Sequence, residues 1–198
     1  MYEDTLIDKV RKALGFPRPD PNENSDKLRP RYQSDYSLLS LIHSGEATIA
    51  TAESPRPIIG SVGMGPCVAM AGYDSAQRIG FISHNGLGDY VEALHNLVLE
   101  ELTKKSRLKL EMDIYIVGGM FMSGELARKL KDYANNNFNP KSIQEDLALS
   151  VSGGRYLYLG KTFFLDTRNG KVHSIDGGGE LQHVPPAEPR ISLRKSSF

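Results

Sequence analysis

The chain has a single cysteine, Cys67, among 198 residues. No internal disulfide can form, so the fold must rest on packing, and the thiol is left as either core filler or nucleophile. A zinc site built on it would need more cysteines or histidines at ligand spacing; these are missing, and no metal is expected. An excess of charge is missing too: Lys plus Arg and Asp plus Glu number 24 each. With no net field, neither nucleic acid nor an anionic membrane surface is an expected partner. No apolar run approaches membrane-spanning length, which predicts no membrane insertion. Asp4, Asp8 and Lys9 interrupt the place where a signal peptide would stand, so a cytoplasmic protein is expected. The glycine-rich stretch before Cys67 lacks both the Lys-Ser/Thr ending of a P-loop and a GxGxxG pattern, which argues against a phosphate cradle.

What is present centres on that stretch. Gly60, Gly63, Gly65 and Pro66 lead into Cys67 and mark a tight turn, which leaves backbone N–H groups pointing at whatever sits above it. Two apolar runs follow, Val68–Tyr73 and Ile79–His84, separated by a polar break that reads as a hairpin loop. Cys67 opens the first strand and His84 closes the second. If Tyr73 pairs with Arg78, the same register sets Cys67 opposite His84, with Cβ atoms about 4.5–5.5 Å apart. A slip of one residue would part them.

With 39% apolar residues, one domain with appendages is expected. Residues 3–14 read as a short amphipathic helix, followed by a proline-rich charged arm to residue 33. The main domain spans 34–176. In it, 36–43 is apolar but unassigned, 47–52 alternates like a strand, and the apolar stripe of Val91, Leu94, Val98 and Leu102 predicts a helix. Met112–Val117 reads as a buried strand. Ser123 is a plausible cap for a second helix to about Tyr133, closed by Asn135, Asn136 and Asn137. Residues 147–151, 156–166 and 171–175 suggest an antiparallel meander. Residues 177–198 form a Gly/Pro-rich basic tail, read as poorly ordered or laid on the surface. His95, His43, His173 and His183 are taken as structural or exposed.

Four motifs in order carry a resemblance: Ser61 to Ala69 with its Gly-Pro-Cys turn, His84, Val117-Gly118-Gly119-Met120-Phe121, and Ser152-Gly153-Gly154-Arg155 ahead of Asn169-Gly170-Lys171-Val172. Together they resemble the CheD family, the chemoreceptor glutamine deamidases. The resemblance spans about 47–175. It implies an α+β fold of mixed β-sheets packed together with helices outside, layered α/β/β/α and akin to the cytotoxic necrotizing factor deamidases. It makes Cys67 the nucleophile, His84 the general base and acid, and Ser61 the hydroxyl that orients the imidazole. Ser61 stands where the family usually has threonine; the hydroxyl is kept. Pro66 stands where serine is common and brings no N–H.

The chemistry so implied is side-chain amide hydrolysis of protein glutamine to glutamate, with ammonia released and no cofactor. A free thiol has a pKa of about 8.5, and a neighbouring imidazole converts it to thiolate near neutrality. Gly63, Gly65 and the Cys67 N–H are the candidates to hold the oxyanion, and Ser152, Gly153 and Arg155 either line the substrate cleft or form a plain turn. The protein substrate could be the cytoplasmic region of a chemoreceptor, with a CheC-like phosphatase as a further partner. Two rival readings stand beside this: a CheD-like binding module without turnover, and a secreted effector that deamidates a foreign protein.

Overall fold

The computed structural model describes residues 38–86, 91–118, 124–147, 161–176 and 190–192. Two sheets carry the fold. In the smaller sheet β1 (Leu39–Ile42) pairs in parallel with β3 (Ile58–Met64), which runs antiparallel to β8 (Lys161–Asp166), itself in a hairpin with β9 (Lys171–Asp176). The larger sheet takes β10 (Arg190–Ser192), β2 (Glu46–Thr51), β5 (Ile79–Asn85), β4 (Val68–Asp74), β6 (Met112–Gly118) and β7 (Pro140–Leu147) in that order across its width. Helices α1 (Val91–Lys105) and α2 (Gly124–Asn137) both contact the larger sheet. The α+β class with mixed sheets is as the sequence implied. Among the described residues the layers are helix, sheet, sheet, with no helix against the outer face of the smaller sheet.

Alternation along the central strands builds two cores at once. Val68 and Met70 of β4, with Ile79 and Phe81 of β5, face the helices and meet Leu94, Val98, Leu102 and Leu130. Phe81 stacks on Phe138 with ring centroids 4.9 Å apart. The intervening residues Ala69, Ala71 and Ile82 face the smaller sheet and pack with Ile42, Ile59, Phe163 and Leu165. A strand buried on both faces reads as a continuous apolar run, which is why β4 and β5 were legible.

The β4–β5 hairpin forms, but in another register. Asp74 pairs with Ile79 and Ala69 with His84, so the strands are slid by two residues from the expected pairing. The cause is Asp74. Its Oδ1 accepts the N–H groups of Ala76 and Gln77, each at 2.9 Å, and Arg78 takes the left-handed conformation, φ 51°, that closes the loop. An aspartate that organises the turn ends the strand and sets the loop at residues 75–78.

Other elements depart from expectation as well. The stretch before Cys67 is a strand, β3, before it is a turn, with its pairing to β8 broken between Ser61 and Met64. Helix α2 continues through Asn135–Asn137; the Asn137 side chain bonds the Tyr133 carbonyl at 2.9 Å, and Asn139, φ 46°, makes the left-handed exit. Of the expected meander the last two strands form the antiparallel hairpin β8–β9, and its first strand, 147–151, lies outside the described residues except for Leu147. β7 lies parallel to β6 in the larger sheet, with α2 as the crossover that parallel strands require, while β8 and β9 belong to the smaller sheet. The boundary at 176 falls short, because β10 pairs with β2, Ile191 joins the helix-side core and Arg190 meets Glu46 at 3.1 Å. One apolar residue in a three-residue strand leaves almost no pattern to read. The expected helix at 3–14, the arm to 33 and most of the tail lie outside the described residues.

Candidate functional site

Ser61 and His84 come from different sheets. Ser61 sits on β3, fully buried and on the side that faces the larger sheet; His84 stands near the end of β5, 5% exposed. Ser61 Oγ lies 2.6 Å from His84 Nδ1 and 3.3 Å from the Ile42 carbonyl oxygen. With the serine proton given to the Ile42 carbonyl, the serine oxygen receives the proton on Nδ1; with the tautomer reversed, the serine donates to the ring. The first arrangement is the neutral tautomer in which Nε2 is the basic nitrogen. It is the orientation a general base needs, and two strands from one sheet with one from the other hold it.

Cys67 lies one residue before β4 and is half-buried. The chain reaches it through Gly63, φ 70°, and a turn in which the Gly65 N–H donates to the Gly63 carbonyl at 2.8 Å. Gly65 was expected to offer that N–H to an oxyanion; it is directed back into the turn instead. Gly118 at the end of β6, φ 101°, packs against the same segment: a Cβ there would fall 2.9 Å from Met64 Cβ and 3.0 Å from the Cys67 carbonyl oxygen. The two-residue slide of the hairpin sets Ala69, not Cys67, opposite His84. A slide of two keeps the facing of every side chain, so Cys67 becomes a diagonal neighbour of His84 instead of its direct partner.

Ser44 completes the surroundings of the thiol. It lies in the turn between β1 and β2, and its Oγ is 4.0 Å from Cys67 Sγ. The turn is braced from several directions: the Gly45 N–H donates to the His84 carbonyl at 2.8 Å, and the His43 N–H donates to Glu46 Oε2 at 2.9 Å. Gly118 belongs to one of the four motifs of the resemblance, whereas Ser44 carried no sequence signal of its own role. Ser44 follows an apolar segment that had no assignment, and its nearness to Cys67 depends on sheet topology alone.

The remaining residues separate. Ser152, Gly153 and Arg155 lie outside the described residues. His95 is fully buried on α1, with Nδ1 2.7 Å from the Val91 carbonyl oxygen and Nε2 2.7 Å from Ser83 Oγ. Burial drives its pKa down to about 4, opposed by the bond to Val91. His43 is exposed, and His173 is partly buried with its pKa lowered by that burial. Lys161, Asp146 and Ser174 form a polar cluster where β8, β7 and β9 come together, with Asp146 accepting from both side chains. Among the described residues no three His, Cys, Asp or Glu side chains are grouped to hold a metal ion. No described helix is long and apolar enough to cross a membrane.

No protein-family model matches the chain. A curated protein of Clostridium novyi (strain NT), named as a probable chemoreceptor glutamine deamidase CheD, is 25% identical over 149 residues, covering 66% of this chain and 90% of that protein. The similarity, together with two mixed sheets and flanking helices, supports a CheD-like family for the chain.

Proposed function

We propose that this protein is a cysteine-dependent deamidase of protein glutamine side chains, with Cys67 as nucleophile, His84 as base and acid, and Ser61 as the residue that orients His84. The observation that carries the reading is the 2.6 Å contact between Ser61 Oγ and His84 Nδ1 beside the turn that bears the only cysteine. The name of the Clostridium relative supports the same chemistry and suggests a chemoreceptor as the substrate.

In the proposed reaction the Cys67 thiolate attacks the carboxamide carbon, forming a C–S bond while the carbonyl π pair moves to oxygen. His84, protonated by the thiol, hands its proton to the amide nitrogen as the C–N bond breaks and ammonia leaves. A water molecule, deprotonated by His84, then adds to the thioester; the C–S bond breaks and glutamate is released. The domain would run from about 34 through β10, with the N-terminal arm as an accessory.

A second reading, a CheD-like module that binds a receptor or a CheC-like phosphatase without turnover, is favoured by one observation. Gly65 directs its N–H into the turn and Pro66 has none, so the turn is poor in oxyanion donors. Mass spectrometry of chemoreceptor cytoplasmic fragments incubated with wild type and Cys67→Ala separates the two. Conversion of glutamine to glutamate by wild type alone is the expected result, and no conversion with retained binding points to the module.

A further inference from the structure

We propose that the Ser44 hydroxyl is a further catalytic residue, the donor that holds the oxyanion formed on the carbonyl attacked by Cys67. The proposal rests on the deamidase reading of the Cys67 site and adds to it a group from a different element. It starts from a deficit. A tetrahedral intermediate is stabilised by preorganised donors aimed at the oxygen where charge develops. Of the residues leading into Cys67, Gly65 donates to Gly63 at 2.8 Å and Pro66 has no N–H to give. The turn therefore offers less than a glycine-rich segment promises.

Ser44 stands where the missing donor is needed. At 4.0 Å from Cys67 Sγ its hydroxyl is too distant for a firm bond to the resting thiol. The geometry changes once carbon is bound to sulfur. An oxygen on that carbon lies about 2.7 Å from Sγ, and a donor for it must stand about 2.7–3.1 Å from the oxygen. A hydroxyl 4.0 Å from Sγ is compatible with both distances without moving, for a substrate whose carbonyl oxygen points toward Ser44. An interaction weak in the ground state and strong in the intermediate is the kind that lowers a barrier. The turn that carries Ser44 is also fixed before reaction, by the bond from Gly45 to the His84 carbonyl and by the bond from His43 N–H to Glu46.

The test compares two reagents that consume the same thiol. p-Nitrophenyl acetate acylates Cys67 through a tetrahedral oxyanion; iodoacetamide alkylates it by displacement at carbon, with no oxyanion. Ser44→Ala is expected to slow acylation by about tenfold or more while the alkylation rate and its pH profile stay as in wild type. Ser44→Thr keeps the hydroxyl and should restore acylation; Ser44→Gly serves in place of Ser44→Ala if that variant does not fold. Unchanged acylation overturns the proposal, and so does an equal fall in both rates, which would mean that Ser44 acts on the thiol itself. A wild type that is not acylated at Cys67 overturns it as well. The deamidase reading fails separately: acylation that depends on Ser44, with no ammonia from glutamine-containing receptor fragments, removes that substrate and leaves the oxyanion role standing.

Discussion

Strand β5 carries two serine–histidine contacts of nearly equal length on its opposite faces, and they differ in what surrounds them. Toward the smaller sheet, His84 Nδ1 meets Ser61 Oγ at 2.6 Å; toward α1, Ser83 Oγ meets His95 Nε2 at 2.7 Å. In the first the serine also has the Ile42 carbonyl as acceptor at 3.3 Å, and with its proton there the ring donates to the serine. In the second the Val91 carbonyl takes the Nδ1 proton at 2.7 Å, so Nε2 of the neutral ring accepts, and Ser83, which also has the Met70 carbonyl at 3.2 Å, gives its proton to the ring. His95 thus has both nitrogens engaged inside an apolar core, and its pKa of about 4 keeps it neutral near pH 7. A serine beside a histidine is no sign of catalysis by itself. What separates the pairs is which nitrogen is left basic and whether a thiol stands nearby.

The largest effect that would sharpen this contrast is on Cys67 reactivity. His84→Ala is expected to reduce deamidation by about 10²–10⁴-fold, the range for loss of a positioned acid–base group. It should also slow iodoacetamide alkylation of Cys67 below pH 7. His95→Leu should leave both rates near wild type. Equal losses in the two variants, measured on protein shown to be folded by circular dichroism, would erase the distinction between the faces.

The next effect is on stability and has a definite sign. His95 has a folded pKa of about 4 against 6.5 for the free side chain. Between those values the unfolded chain binds the proton and the folded one does not, so stability falls as pH drops from about 6.5 and levels off below about 4. The full loss is about 3 kcal/mol, of which about 2 kcal/mol is gone by pH 5. His173, also lowered by burial, acts in the same direction, so the informative quantity is the difference between wild type and His95→Leu. Denaturant titrations at pH 7 and pH 5 should show a smaller decline in the variant. The carboxylates act in a separate window. Burial pushes Asp74 and Asp166 up, but hydrogen bonds to Asp74 and the Arg168 pairing of Asp166 outweigh it, and both pKa values end lowered. Their contribution is lost only as pH falls below about 4. A parallel decline in wild type and His95→Leu from pH 7 to 5 would show that His95 is not the buried neutral ring described here.

How much of this was legible in sequence follows from where the information sits. The strands β4 and β5 and the helix α1 announce themselves by apolar pattern, and their existence was read correctly. The register was not, because Asp74 looks like a loop residue and acts as the last residue of a strand whose carboxylate organises the loop. β7 went unseen because Pro140–Leu147 is an edge strand with a partly exposed polar pattern, PKSIQEDL, and no apolar alternation. The grouping of Ser61 with His84 came from motif resemblance, since residues 23 apart on two sheets leave no local trace. Ser44 is hidden for the same reason. His84 and His95 were told apart by motif and by element, one closing a strand and the other on a helix, but the serine that each one meets left no local trace.

The smallest effects, and the most discriminating, belong to the serines. Ser83→Ala removes the hydroxyl that His95 Nε2 accepts from, and a buried ring nitrogen left without that donor costs about 1–3 kcal/mol. Turnover should change little, because Ser83 meets the thiol segment only through Asn85 Nδ2, which also donates to the Val68 carbonyl at 3.1 Å. Ser61→Ala removes the hydrogen-bond partner of His84 Nδ1 at a site fully buried from water, so a stability loss of similar size is expected. Here kcat should fall as well, with KM little changed, since an imidazole free to rotate or change tautomer is misplaced only when it must carry a proton. Ser61→Thr keeps the hydroxyl and should retain kcat, with its added methyl packed toward Ile42 and Phe163. The decisive pattern is stability loss in both alanine variants and rate loss in one. Should Ser61→Ala be destabilised yet turn over at full rate, the two contacts would be alike, both structural, and the orientation of His84 would have to come from elsewhere.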